Sequence, residues 1–159
     1  MINKEHITIE KVNPSDTKLI QLIAEWYHQE WNIPATTTTQ KINSFKENSI
    51  PLQIVVKENN IPIATGGIYT HVGLLDVFPE YKKYNYWLAL VYTVPEKRNH
   101  GIGALLCNAL EEQAKRYGIE KLFLFTYTAE KLYLKLNWTP IERFIYKEND
   151  TVIMEKNLS

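Results

Sequence analysis

The chain has 159 residues, of which 45% are hydrophobic and 23% are charged, and its formal net charge is zero. The length and composition are typical of one globular domain, which we expect to span residues 1–159. A net charge of zero argues against classes of protein that bind nucleic acids or anionic membranes through a basic surface.

The first predicted elements are a strand over His6–Val12 and two helices. Asn13 as N-cap, with a proline directly after it, predicts the start of the first helix, and Pro34 ends it. Thr37-x-x-Gln40 predicts a capping box for a second, shorter helix. The apolar faces of the first helix contain Leu19, Ile20, Leu22, Ile23, Trp26, Tyr27 and Trp31. Because these aromatic residues recur at helical spacing, they are interpreted as core rather than as a ligand cage.

A β-hairpin follows, with strands predicted over Pro51–Lys57 and Ile61–Thr70. Gly66 and Gly67 lie inside the second strand, which indicates a bulge or a close backbone contact. Residues 71–85 mix acids, lysines and aromatics, and we expect them to form a loop.

The central stretch of the chain combines a buried strand, a glycine loop and a helix. Trp87–Val94 is an apolar run rich in β-branched and aromatic residues, as in a strand that is buried on both faces. Gly101 and Gly103 precede a helix with apolar residues at helical spacing, and Gly118 occupies the position of a left-handed C-cap. A helix start has unpaired N–H groups and a positive dipole end, so this arrangement predicts an anion site. Neither the Rossmann nor the P-loop pattern is present.

The last predicted elements are a strand over Lys121–Thr126, a short helix over Ala129–Leu136, and two strands over Trp138–Tyr146 and Thr151–Lys156. A turn at residues 148–150 joins the last two. The order of elements predicts an α/β protein with a mixed sheet, in which residues 87–126 form a right-handed βαβ unit.

The motif Pro95-x-x-Arg98-x-x-Gly101-x-Gly103, placed after a strand, resembles the acetyl-CoA-binding motif of the GNAT family of N-acetyltransferases. The order of elements resembles that family over nearly the whole chain. This resemblance implies a mixed, mostly antiparallel central sheet flanked by helices, in which the parallel strands 87–94 and 121–126 splay apart. It also implies acetyl-CoA as co-substrate and an amine as acceptor.

A closer similarity is to a small bacterial subgroup of uncharacterised acetyltransferases, which is in turn distantly similar to the enzymes that acetylate acidic actin N-termini. The residues that carry this similarity are Glu30-Trp31, Asp76, Trp87-Leu88-Ala89, Tyr133 and Trp138.

The resemblance also assigns residues to acetyl-CoA. It places the pyrophosphate on the glycine loop and the pantetheine arm alongside the end of the central strand. The loop residues are Arg98, Asn99, His100, Gly101, Ile102, Gly103 and Ala104, and the strand residues are Tyr92, Thr93 and Val94. A second family motif, Asn-x-x-Ala-x-x-x-Tyr followed by Gly-Phe/Trp, has Thr126 at its asparagine position and Asn137 at its glycine position. Asparagine is the commonest substitute for glycine where φ is positive.

Tyr133 stands at the tyrosine position of that motif. A phenol with a pKa of about 10 stays protonated at neutral pH, so Tyr133 is the predicted proton donor to the leaving thiolate of CoA. Many relatives carry a glutamate on the central strand as the base for the amine, but Trp87–Val94 contains no acid. The base must therefore lie elsewhere, or water must carry the proton to bulk solvent. Asp76, Glu30 and His71 are the candidates, in that order, because their segments are expected to border the acceptor site.

The sequence favours an N-acetyltransferase that transfers acetyl to a primary amine of a small molecule or a peptide by direct attack. The alternative is a non-catalytic acyl-CoA-binding sensor or interaction module, and a third option is a hydroxyl acceptor or a longer acyl chain. The four histidines show no metal-ligand spacing, and Cys107 is interpreted as a core residue rather than a nucleophile. A lone cysteine, no signal-peptide pattern and no membrane-length apolar run lead us to expect a cytoplasmic protein without a membrane partner.

Overall fold

The computed structural model describes residues 4–159. Residues 1–3, on which the expectation about a signal peptide partly depends, lie outside that range. The helices are α1 (Thr17–Trp31), α2 (Ala35–Asn43), α3 (Leu74–Val77), α4 (Ile102–Arg116) and α5 (Glu130–Lys135). The strands are β1 (Ile7–Lys11), β2 (Leu52–Glu58), β3 (Ile61–Tyr69), β4 (Trp87–Thr93), β5 (Lys121–Thr126), β6 (Thr139–Tyr146) and β7 (Asn149–Asn157). Among residues 4–159, no helix is long and apolar enough to span a membrane.

The strands form one mixed sheet in the order β1-β2-β3-β4-β5-β7-β6. Among residues 4–159, only β4 and β5 are parallel neighbours in the sheet, as the sequence predicted. Their ladder consists of a single register pair, Trp87 with Phe123. By contrast, β5 pairs with β7 over its whole length. β4 and β5 therefore separate beyond Trp87, and the predicted splay is confirmed.

A bulge lies in β4 just beyond the point where the strands separate. Thr65 pairs with Tyr92 and Gly67 with Ala89, so the single residue Gly66 faces two residues of β4. One of these two, Leu90, has a φ of 57°. The bulge predicted at the glycine pair is confirmed, but the extra residue belongs to β4 rather than to β3.

Gly67 is required for a close approach inside the sheet. A Cβ atom at Gly67 would lie 2.5 Å from the Tyr69 ring and 2.7 Å from the Leu52 carbonyl oxygen. The backbone therefore allows Tyr69 to pack across β3 only because residue 67 has no side chain.

The helices cover both faces of the sheet. A Cβ atom at Gly66 would point at Leu110 of α4, at 3.2 Å, so α4 covers that face. Thr65 points the opposite way by strand alternation and belongs to a hydrogen-bonded network with Tyr27 of α1, so α1 covers the other face. Tyr84 packs against Trp87 on the α1 side, so the segment after β3 extends that layer towards β5.

Both helix starts differ from the sequence predictions. The N-cap of α1 is Asp16, whose side chain accepts from the Leu19 N–H at 3.3 Å. Asn13 instead accepts from the Ser15 N–H at 2.9 Å, so its side chain closes a local turn before the helix. The prediction of a capping box at Thr37 is also wrong. The Thr37 N–H already donates to the Pro34 carbonyl at 3.0 Å, because α2 starts directly after that proline.

Two connections also differ from prediction. Residues 71–85 are not only loop, because they contain α3 and a 3₁₀ turn over Pro79–Lys83. The turn between β6 and β7 lies at Lys147-Glu148, where both residues have positive φ, and not at 148–150. Tyr146 pairs with Asn149 across a two-residue loop, which is the geometry expected of a tight hairpin turn.

Candidate active site

The loop between β4 and α4 presents a row of unpaired backbone amides. In the described part of the chain, the N–H groups of residues 99–104 donate to no protein acceptor. The first backbone bond of the helix runs from the Leu105 N–H to the Gly101 carbonyl at 3.1 Å. Asn99 and Gly101 have φ values of 63° and 84°, which bend the chain into the helix. The positive end of the α4 dipole adds to these amides, so the loop is suited to an anion.

Space above this loop is kept open by glycine. A Cβ atom at Gly103 would meet only the Leu132 side chain, at 3.6 Å, and one at Gly101 would meet nothing within 4 Å. Protein packing therefore does not require a glycine at position 103. Asn99 and His100 are exposed and Ala104 is half-buried, whereas Ile102 is 1% exposed and anchors the helix start in the core.

Arg98 folds back onto the end of β4. Its Nε donates to the Thr93 carbonyl at 2.8 Å, and its Nη2 lies 3.3 Å from Oε2 of Glu30. The guanidinium carbon lies 5.4 Å from the centre of the Tyr92 ring. The structure thus brings Arg98, Tyr92 and Thr93 together, and it adds Glu30 at the last turn of α1. No sequence pattern indicates this pairing, because it joins residues 68 positions apart.

At the end of β4, the backbone groups of successive residues point to opposite edges of the strand. The Val94 N–H donates to the Ile63 carbonyl at 2.9 Å, so the Val94 amide is directed towards β3 and is not available to a ligand in the gap. Because strand residues alternate in direction, the backbone of Thr93 faces the gap between β4 and β5. The side chain of Tyr92 stacks against Trp26, with ring centres 5.3 Å apart.

Thr126 and Asn137 define the two ends of α5. The Thr126 hydroxyl oxygen accepts from the Ala129 N–H at 3.1 Å, so it stabilises the helix start, and its own proton takes no part in that bond. At the other end Asn137 has a φ of 71°, as the family pattern predicted. The Trp138 N–H donates to the Tyr133 carbonyl at 3.0 Å, and the two rings are in contact, which completes a Schellman cap.

Tyr133 lies on α5 against the second turn of α4. It is 7% exposed, and its hydroxyl lies beside the thiol of Cys107. Burial raises the pKa of Tyr133, and the Cys107 thiol raises it further. Tyr133 is therefore protonated throughout the neutral range. Burial, with the nearby Glu111 carboxylate, raises the pKa of Cys107 to about 12, so this thiol is not an activated nucleophile.

A buried ion pair between α4 and β7 contacts the C-terminal end of α5. Glu111 of α4 is 6% exposed, and its Oε1 lies 2.8 Å from the Lys156 Nζ of β7. The same ammonium donates to the Leu136 carbonyl at 2.7 Å, at the end of α5. The pair therefore joins α4, β7 and α5. Sequence reasoning missed it, although Glu111 follows Cys107 by four positions and so lies on the apolar face of its helix.

The candidate bases lie in two separate groups. Asp76 pairs with His71 on its own segment, with Oδ1 and Nε2 3.1 Å apart, and both side chains are more than half exposed. Glu30, the second candidate, is paired with Arg98 in the loop after β4. The charge of Asp76 also acts on Lys41 of α2, whose pKa is lowered by burial and raised in part by that carboxylate. Over residues 4–159, no cluster of three or more His, Cys, Asp or Glu side chains could hold a metal ion.

Comparison with models of known families gives a match over most of the chain. The model of the acetyltransferase (GNAT) family matches residues 17–138, which include the amide row and Tyr133. A comparison with curated proteins finds no match.

Solved structures share the fold over almost the whole chain. An aminoglycoside 6′-N-acetyltransferase complexed with coenzyme A superposes with a TM-score of 0.74 at 12% identity, covering 96% of this chain and 97% of the other. The ribosomal-protein-S18-alanine N-acetyltransferase of Escherichia coli gives 0.70 at 16% identity, with coverages of 96% and 94%. The yncA protein of Salmonella typhimurium, in a structure with its cofactor acetyl-CoA, gives 0.72 at 17% identity, with coverages of 97% and 95%. At these identities the likeness concerns the fold.

Proposed function

The chain belongs to the GNAT family of acetyltransferases, and on that basis we propose that it is an acetyl-CoA-dependent N-acetyltransferase. The acceptor is a primary amine of a small molecule or a peptide. The observation that carries this proposal is the row of unpaired amides at residues 99–104, which lies beside the gap between β4 and β5. A row of donors at a helix start binds the oxygens of a pyrophosphate without any need for a metal.

Acetyl-CoA fits this arrangement in two parts. The pyrophosphate takes the amides of residues 99–104, with Gly103 allowing close approach. The pantetheine arm lies in the gap, where the Thr93 backbone faces it, and the Thr126 hydroxyl offers its free proton at the opposite strand. Two proteins of the same fold, one crystallised with coenzyme A and one with acetyl-CoA, support this choice of co-substrate.

The reaction begins when the lone pair of the neutral amine attacks the thioester carbonyl carbon. A C–N bond forms, the tetrahedral intermediate collapses, and the C–S bond breaks. We assign the proton that the leaving sulfur receives to Tyr133, which then recovers a proton from water. The support is its place on α5 beside Cys107 of α4, and the fact that a phenol is protonated at neutral pH and can donate.

The proton of the amine needs a separate acceptor, because an alkylammonium with a pKa near 10.4 has no lone pair. β4 offers no carboxylate, and Glu30 is engaged by Arg98. We assign this role to Asp76, with His71 as its partner. Both lie on the segment that extends the α1 layer towards β5, on the face of the sheet opposite α4.

One observation favours a second candidate function. Because β4 contains no acid, the protein could bind an acyl-CoA without transferring the acyl group, as a sensor or interaction module would. The presence of Tyr133 beside the second turn of α4 favours transfer.

The experiment that separates the two candidates has two stages. A thermal-shift panel of acyl-CoAs first identifies the chain length that binds. Release of free CoA thiol is then followed with a library of amines. We expect acetyl-CoA to stabilise the protein and at least one amine class to give steady thiol release. Binding without release for every amine would support the sensor, and no stabilisation by any acyl-CoA would contradict both.

A further inference from the structure

A network of buried polar side chains lies beneath the β4 bulge, and its central member is Tyr27. The Tyr27 side chain is fully buried. Its hydroxyl donates to the Leu90 carbonyl at 2.6 Å and accepts from Gln53 Nε2 at 2.8 Å. Gln53 Nε2 also lies 2.9 Å from the Thr65 hydroxyl, and Gln53 Oε1 accepts from the Tyr69 hydroxyl. The network therefore extends from α1 through β2 and β3 to β4.

Leu90 is the position in β4 that needs such support. Its φ of 57° lies in the left-handed region, which a leucine rarely occupies unless its surroundings hold it there. Leu90 has no partner in the described β3 and β5 ladders. The Tyr27 hydroxyl provides a partner for its carbonyl, which would otherwise be left without one in the protein interior.

The position of this bond along β4 gives it a functional meaning. The single β4–β5 pair is at Trp87, three residues before Leu90, and Thr93 lies three residues after it. The bulge thus lies at the start of the gap into which the pantetheine arm is proposed to fit. A second contact from α1 acts at the far end of the same gap, where Glu30 holds the arginine that binds the Thr93 carbonyl. Tyr27 and Glu30 are three residues apart, so they lie on the same side of α1.

We infer that Tyr27 is a positioning residue for acetyl-CoA, because its hydroxyl fixes the Leu90 bulge and thereby keeps β4 parted from β5. This inference rests on the proposed function. Without the hydroxyl, the Leu90 peptide loses its partner and is free to rotate, and the strand edge that faces the gap is no longer held in one conformation. The phosphate-binding amides of α4 are held by a different part of the protein and are unaffected.

Two matched substitutions test this role. Tyr27→Phe and Tyr69→Phe each remove one hydroxyl from the same buried network, but only Tyr27 contacts the bulge. We expect both to lower the urea midpoint. Only Tyr27→Phe should weaken the binding of acetyl-CoA, by about tenfold in a calorimetric titration. Adenosine 3′-phosphate 5′-diphosphate, which carries the phosphates but no pantetheine, should bind both variants as it binds the wild type.

A third variant keeps the test decisive if Tyr27→Phe folds poorly. Glycine adopts the left-handed region without penalty, so adding Leu90→Gly to Tyr27→Phe should restore much of the acetyl-CoA affinity. Equal affinities in the two tyrosine variants would overturn the inference, as would a folded double variant that binds acetyl-CoA about tenfold or more weakly than the wild type. If the wild type itself does not bind acetyl-CoA, the proposed function fails instead.

Discussion

Arg98 and Glu30 join the loop after β4 to the last turn of α1, with Nη2 and Oε2 3.3 Å apart, while Arg98 Nε donates to the Thr93 carbonyl. The planar guanidinium makes both contacts at once and stacks on Tyr92. Its charge is partly neutralised by Glu30 before any ligand arrives. The geometry therefore favours a role for Arg98 in ordering the loop over a role as a simple counter-charge.

Arg98→Lys tests that role, because an ammonium keeps the charge but cannot form the same fork of donors. We expect Arg98→Lys to weaken acetyl-CoA binding by about tenfold, nearly as much as Arg98→Gln, as measured by calorimetric titration. If the lysine variant binds as tightly as the wild type while the glutamine variant does not, charge alone is what matters.

Gly103→Val tests the position of the pyrophosphate. The helix start has room for a side chain at this position, and valine is no worse than glycine in a helix, so the melting temperature should change by no more than about 2 °C. The branched side chain would nevertheless stand between the amides and a phosphate, and acetyl-CoA affinity should fall by at least about tenfold. The smaller Gly103→Ala change serves as the graded control. Undiminished binding by Gly103→Val would place the pyrophosphate elsewhere.

How much of the structure can be predicted from the sequence depends on whether the interactions involved are local or join residues that are distant in sequence. The splay of β4 and β5 and the positive φ at Asn137 were predicted correctly, because both follow from the family resemblance and its motifs of fixed spacing. The predicted N-cap of α1 was wrong because asparagine and aspartate are both good N-cap residues. Only the structure shows that Asp16 caps the helix and that Asn13 closes a turn before it.

Two other contacts that sequence reasoning missed are long-range. Tyr27 was interpreted as a core aromatic, and it is buried as expected, but its hydroxyl bonds a carbonyl 63 residues away. Glu111 and Lys156 resemble solvated surface charges until the packing of α4 against β7 brings them together. No pattern along the chain encodes which carbonyl or which ammonium such groups meet.

Asp76→Asn tests the assignment of the base. The substitution keeps the size of the side chain but removes its ability to take a proton. We expect kcat to fall by roughly 10²-fold or more, while the Kd of acetyl-CoA stays within twofold of the wild type. Asp16→Asn, which changes a carboxylate at the start of α1, is the control for a nonspecific charge effect. A variant of Asp76 that turns over normally, or that loses acetyl-CoA affinity equally, would argue against this assignment.

The buried thiol of Cys107 should make the protein less stable as the pH rises into the alkaline range. Burial, with the nearby Glu111 carboxylate, raises the pKa of this thiol from about 9 in the unfolded chain to about 12 in the folded protein. Above pH 9 the unfolded chain therefore loses this proton first, and stability is lost as the pH rises towards 12. Between pH 9 and 10 the free energy of unfolding should fall by about 1 kcal/mol more in the wild type than in Cys107→Ala. Urea titrations of both proteins from pH 8 to 10 measure this difference. If the free energy of unfolding fell equally with pH in both proteins, the pKa of the Cys107 thiol would not be raised by folding.

The most direct measurement of the central claim compares Tyr133→Phe with the wild type in amine-dependent release of CoA thiol. The ring contact with Trp138 is kept, so the variant should fold and bind acetyl-CoA within about threefold of the wild type. Without a donor for the leaving sulfur, kcat should fall by about 10²–10⁴-fold. Tyr117→Phe, at the far end of α4, is the matched control and should turn over normally. Wild-type turnover by Tyr133→Phe with the best amine would contradict the proposed mechanism.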